Sequence, residues 1–244
     1  LKLELKKLKI YPMKLKQIMQ VGIPAGFQGV LFSLANVTVQ SSINSFDNTV
    51  LVAGSSASSS VENFVYANVN SFYQANTAFT SQNFGAGNYK RILKVRHTAV
   101  IAGVLSTSLL GWIAILFGRQ LLGIYSTSPA VVDAGMLRMW FMLAVYGLDA
   151  LMGVQVGSMR GIGYNVLPML VSLVGACVFR LVWLATVFQI PAYHRIETVY
   201  IVYPISWALT ALAHGICFFF AYRKVVRTLS PDGEAEPPAA ASAS

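Results

Sequence analysis

Charge is what this chain has least of. Asp, Glu, Lys and Arg make up 11% of its 244 residues, where soluble domains carry about a quarter. Acids are the scarcer sign, nine against eighteen Lys and Arg. With 55% hydrophobic residues and a mean hydropathy of +0.59, a soluble globular chain is excluded and an integral membrane protein is implied. Cysteine is nearly absent. Cys177 and Cys217 both sit in apolar runs, which excludes a disulfide framework and leaves two buried small residues. The three histidines, His97, His194 and His214, fall in separate segments. Without HExxH, a nucleophile elbow or CxxC, neither an enzyme nor a metal site nor an organic cofactor is expected. No apolar core and cleavage site follow the basic start LKLELKKLKIYPMKLK, so no signal peptide is visible. The first residue is Leu1 rather than Met, and the chain is expected to be a piece of something longer.

What is present is length of apolar chain. Six stretches reach the roughly 20 residues that a spanning helix needs: about 18–45, 49–81, 95–118, 131–156, 166–189 and 198–222. The spacing predicts an all-α membrane bundle. A basic linker over 1–13 leads into a membrane portion over 14–226, and a tail over 227–244, SPDGEAEPPAAASAS from Ser230, is expected to be disordered. Pro24 and Pro168 are placed near helix starts, where a missing N–H costs nothing. Pro204 falls inside the last span and is read as a kink. The net charge of +9 lies between apolar segments rather than on one face, which argues against nucleic acid. Six Lys precede the first span, four Lys and Arg fill the second loop, Arg160 stands in the fourth and three basic residues follow the last span, against Arg119 and Arg195 on the other side. By the positive-inside rule both termini are cytoplasmic.

Two features inside the membrane portion carry chemistry. Asp149 lies eleven residues before Arg160, about 16 Å along a helix. If Arg160 marks the water boundary, Asp149 lies in hydrocarbon, where an ionised acid needs a partner or a wet cavity and is a functional-site candidate by default. No basic residue is expected at its depth, which suits reversible binding of a proton or Na⁺, hydrogen bonding of a permanently protonated acid being the other reading. Glu62 and Arg180 are placed at similar depths by residue counting, and an ion pair between them is the economical expectation. The first two spans are also unusually polar. Ser33, Asn36, Gln40 and Asn44 share a face of the first, and Glu62, Tyr66, Tyr73, Asn76, Thr77 and Thr80 a face of the second. These stripes are either interhelical glue or the wall of a water-filled path. The run GSSASSS, Gly54 to Ser60, is read as permitting close helix approach.

Three motifs, in order and on the right sides of six spans, carry a family resemblance: GIPAG at Gly22 to Gly26, SQNFGAGNYKR at Ser81 to Arg91, and the segment from Asp149 to GSMRG, Gly157 to Gly161. Over residues 14 to about 226 the chain resembles the C-terminal half of a MATE-family multidrug efflux transporter. The resemblance implies one lobe of a twelve-helix protein that exchanges cationic amphipathic drugs for Na⁺ or H⁺, in a plasma (inner) membrane, with a second six-helix lobe or a second copy as partner. It places Asp149 as the cation-coupling acid, with Glu62 as a substitute second acid. One branch of the family has a glutamate about eight residues after the first proline, where this chain has Phe32 and Ser33, and a Na⁺ site of that branch's kind is not expected. On this reading Asn36, Gln40, Tyr66, Tyr73, Asn76 and Met142 line the substrate path. Gln82, Asn83, Gly85, Gly87, Arg160 and Gly161 form loop motifs whose glycines make turns rather than bind phosphate. The competing readings are a lipid or polysaccharide flippase of the same superfamily and a non-transporting scaffold subunit. More basic residues in the cavity would mark the first, and polar stripes turned toward a partner helix the second.

Overall fold

The computed structural model describes residues 11–229, and every described element is helical. The predicted basic linker up to residue 10 and the tail from Ser230 lie outside the described residues. Helix α1 (Pro12–Asn44) turns at Ser45 to Asn48 into α2 (Thr49–Gly85). The turn is set by local chemistry. Asp47 adopts φ 47°, a left-handed conformation that Asp tolerates, and the Asn48 side chain accepts hydrogen bonds from the Val50 and Leu51 amides at 3.0 and 3.3 Å, capping α2. Gly87, at φ 72°, makes the next turn into α3 (Tyr89–Leu116). After the short α4 (Gly118–Gly123), α5 (Pro129–Leu143) and α6 (Gly147–Gly161) form one apolar span bent by 45°. A further span, Val166–Gln189, starts as α7 (Val166–Ser172), widens into a π-helical turn over Leu173–Val178 and resumes as α8 (Phe179–Ala185). The last helix, α9 (Ile196–Leu229), contains Pro204.

By length and apolarity four helices qualify as spans, and five when the bent α5–α6 pair is taken as one. The predicted sixth, α2, has the length at 37 residues but is too rich in Ser, Asn and Thr to qualify by composition. Its polarity is explained by its position. Contacts pair Gly54 with Gly135, Glu62 with Arg138, Asn76 with Val154 and Ser158, and Gly161 with Thr80. Both residue numbers rise together, so α2 and the α5–α6 span run parallel and in contact along their length. The placement of Pro24 is corrected: α1 begins at Pro12, so Pro24 is interior rather than near the start. The basic and polar residues before it extend the helix by more than a turn.

Small residues set how close α2 comes to its neighbour. A methyl group on Gly54 would stand 2.7 Å from the Gly135 amide nitrogen and from the Val131 carbonyl oxygen, both backbone atoms that cannot rotate away. This bears out the close-approach reading of GSSASSS and follows the rule that membrane helices meet through small residues. Gly54→Val is therefore expected to push the two helices apart and lower stability by about 1–3 kcal/mol. The thermal unfolding midpoint in detergent measures it, and an unchanged midpoint would show that the contact is slack.

Candidate functional site

Where α1, α2, α5, α6, α8 and α9 converge they leave a cavity of about 550 Å³. Asp149 reaches it from the first turn of α6, just past the bend, and is 7% exposed. The described ion pairs are Arg119–Asp133 and Glu62–Arg138, and Asp149 belongs to neither. Asp149 lines the cavity. Arg180, from α8, lines the same cavity as Asp149, where the sequence led to the expectation of no basic residue. Arg180 is held elsewhere: its Nε donates to Ser206 Oγ at 3.0 Å and its guanidinium carbon stands 4.0 Å from the Tyr203 ring centroid.

The predicted Glu62–Arg180 ion pair does not form. Glu62 instead takes both fork hydrogens of Arg138, from Nε at 2.8 Å and Nη2 at 3.0 Å, and accepts a third hydrogen bond from Ser58 Oγ at 3.0 Å. Arg138 Nη1 donates to Ser55 Oγ at 2.7 Å. Counting residues from helix ends fails here for two reasons. Side chains on a helix tilt toward its N-terminus, so Glu62 reaches back to Ser58. The Gly54–Gly135 contact also fixes the α2–α5 register, which brings Arg138 within a side-chain length. Two serines of GSSASSS thus help bind a buried bidentate pair. Glu62 lines the cavity, yet its oxygens are taken by Arg138 and Ser58 rather than left free as in the second cation site expected from the sequence.

The polar stripes divide. Asn36, Gln40, Tyr66, Tyr73 and Met142 line the cavity, and Asn36 accepts a hydrogen bond from Tyr203 Oη at 3.4 Å. Asn76 does not. It is 1% exposed and its amide donates to the Val154 carbonyl at 2.7 Å and to Ser158 Oγ at 2.8 Å, clamping α2 to α6. Ser33 and Thr77 bond backbone carbonyls of their own helices at 3.0 and 2.8 Å, and Asn44 accepts from Gln40 at 3.1 Å. The α2 stripe is wall at Tyr66 and Tyr73 and glue at Asn76.

The loop assignment also changes. Gln82, Asn83 and Gly85 are in the last turns of α2, Arg160 and Gly161 close α6, and Gly87 alone of the six lies in a turn. Asn83 bonds back within α2, donating to the Phe79 carbonyl at 2.7 Å. Arg160, expected at the water boundary, is tied into the bundle as well. It lines the cavity, donates to Gln28 Oε1 at 2.6 Å and bonds the Tyr73 hydroxyl, strapping α1, α2 and α6 together at one end of the cavity. The sequence reading missed Gln28. Its place two turns before Asn36 on the polar face of α1 was the available signal.

Comparison with known proteins agrees with this geometry. A family model described as MatE matches residues 24–186. A protein of Thermotoga maritima described as "Probable multidrug resistance protein NorM" is 24% identical over 172 residues, which is 68% of this chain and 36% of that one. The crystal structure of the Vibrio cholerae MATE transporter VcmN in the bent form superposes with a TM-score of 0.77 at 18% identity, over 91% of this chain and 50% of that chain. An inward-facing multidrug resistance MATE family transporter of the MOP superfamily gives 0.71 at 15% identity, over 93% and 52%. The chain thus spans about half the length of the solved transporters and about a third of the curated relative. A multi-pass, all-helical membrane bundle of this likeness, matched by the family model over two thirds of its length, belongs to the MatE family.

Proposed function

We propose that the chain is the C-terminal six-helix half of a secondary active transporter that exports cationic amphipathic drugs in exchange for Na⁺ or H⁺. The carrying observation is the unpaired carboxylate of Asp149, open to a cavity walled by rings, amides and a thioether. A flat lipophilic cation suits that wall: Tyr66 and Tyr73 offer ring faces, Met142 a polarisable sulfur, and Asn36 and Gln40 adaptable hydrogen bonds. The coupling cation and the drug need not meet. Exchange requires only that they prefer different conformers of the bundle, with Asp149 occupied in one and free in the other. The names of the relatives, a probable multidrug resistance protein and a multidrug resistance transporter, support the drug class.

Three cavity arginines bear on the flippase reading. Arg138 is engaged by Glu62, Arg180 is stacked on Tyr203 and Arg160 is held by Gln28 and Tyr73, so each is already bound by protein groups. The half-length match supports a second six-helix lobe or a second copy as partner, and the distribution of Lys and Arg supports cytoplasmic termini in a plasma membrane.

The test is reconstitution into sealed vesicles, alone and together with a second lobe, with tetraphenylphosphonium as the transported probe. Accumulation against its own gradient is expected when a Na⁺ or proton gradient is imposed and absent when the gradient is dissipated. Accumulation indifferent to both gradients would overturn the exchange mechanism.

A further inference from the structure

A second and larger opening lies on the other side of α6. It is a groove of about 2390 Å³ between the first turns of α3 and the C-terminal half of α9, with Leu148, Leu151 and Gln155 of α6 as its floor. Asp149, Met152 and Arg160 of the same helix face the cavity described above, so α6 separates the two. The groove is strongly polarised. Seven Lys and Arg and one His line it, with no acid among the described residues. The exposed acids among the described residues are Asp47 in the α1–α2 turn, Asp133 at the start of α5 and Glu197 at the start of α9, all at the opposite end of the bundle.

Below the basic rim the groove is apolar. On α9, Leu212, Ile216, Phe219 and Phe220 follow at helical spacing and are 64%, 51%, 43% and 64% exposed. From Ala208 to Thr228 the α9 wall runs 20 residues, about 30 Å, enough for a head group and an acyl chain laid along the helix. One cation is built in rather than loosely attached. The Arg96 guanidinium stands 4.6 Å from the Phe218 ring centroid and donates to Gln155 Oε1 at 3.5 Å, and Gln155 is itself anchored by its amide to the Ala211 carbonyl at 3.0 Å. Arg96 Nε–H is buried and has no partner among the described residues. Gly215 leaves the space that Gln155 occupies, since a methyl there would stand 2.9 Å from its Oε1.

We propose that this groove is a binding site for one anionic membrane phospholipid, its phosphate held by Arg96 and the rim cations and an acyl chain lying along the exposed face of α9. The charge selects an anion, and the apolar wall beneath it selects an amphiphile over a free phosphate. The site stands whether or not the neighbouring cavity carries drugs. Bound there, the lipid touches the back of the helix that presents Asp149.

The probe is phosphatidylglycerol, supplied as the minor component of phosphatidylcholine nanodiscs holding the full chain, with retained lipid counted by native mass spectrometry. Phosphatidylglycerol is expected to be retained in preference to phosphatidylcholine. A basic group beside an anionic lipid is worth roughly fivefold in affinity, so Arg96→Gln with Arg223→Gln should lower retention about 25-fold. Lys94→Gln with Arg227→Gln leaves the Gln155 contact alone and should give a similar loss at an unchanged unfolding midpoint. The control, Lys14→Gln with Lys16→Gln, removes the same charge from the exposed start of α1 and should change nothing. Equal retention of the two lipids, equal loss from the control, or displacement of the lipid by excess inorganic phosphate would each overturn the site. So would a photoreactive phenylalanine analogue at position 220 that cross-links to protein instead of lipid.

Discussion

Asp149→Asn is expected to abolish cation-coupled efflux, lowering gradient-driven transport of tetraphenylphosphonium at least about tenfold, while the protein inserts and folds normally. The substitution keeps the shape of the side chain and removes its charge. Asp149 makes no ion pair with the described residues, and Arg180, which shares its cavity, keeps its anchors on Ser206 and Tyr203 when the charge is lost, while an unpaired charge in a low-dielectric site is itself costly. The unfolding midpoint should therefore hold or rise. Transport in vesicles under either gradient, with the midpoint measured on the same preparation, separates the two effects. Efflux retained at the wild-type rate would remove Asp149 from the coupling step, and a collapsed midpoint would make it a structural acid.

The largest effect on stability is expected at Glu62. Glu62→Gln leaves the buried Arg138, 7% exposed in this structure, with no counter-charge, and breaking a buried pair from one side costs about 3–5 kcal/mol. Arg138→Gln strands the carboxylate and should cost a similar amount. The double change removes both charges and should recover most of the loss, since two amides can share the hydrogen bonds that Ser55 and Ser58 already supply. Arg180 is the comparison. Glu62→Gln combined with Arg180→Gln should be additive within about 0.5 kcal/mol, because Arg180 bonds Ser206 and Tyr203 rather than Glu62. Unfolding of the three single variants, Glu62→Gln, Arg138→Gln and Arg180→Gln, and of the two double variants measures the coupling. Strong coupling to Arg180 and none to Arg138 would contradict the geometry.

The two acids show how far residue counting reaches. Both were legible as functional or structural anomalies, because any carboxylate in hydrocarbon must be accounted for. Their fates were not legible. Glu62 and Asp149 are equally buried, yet Glu62 is held by three hydrogen bonds and Asp149 belongs to no described ion pair. The difference lies in which helix packs beside each, and helix neighbours are a tertiary property. The α2 stripe shows the same split, since Tyr73 and Asn76 are three residues apart and one faces the cavity while the other faces α6. A helical wheel groups them, and only the position of α6 divides them.

The sequence by itself determined the solvent, the helical class, the spans to within several residues and the identity of the intramembrane acids. These follow from composition and from the length of apolar chain needed to cross a bilayer, which are additive along the chain. The tertiary structure decided the partner of Glu62, the strap made by Arg160, the bend before Asp149 and the two openings on either side of α6. Those depend on register and rotation between helices, set by contacts such as Gly54 against Gly135, and no sum over single residues contains them.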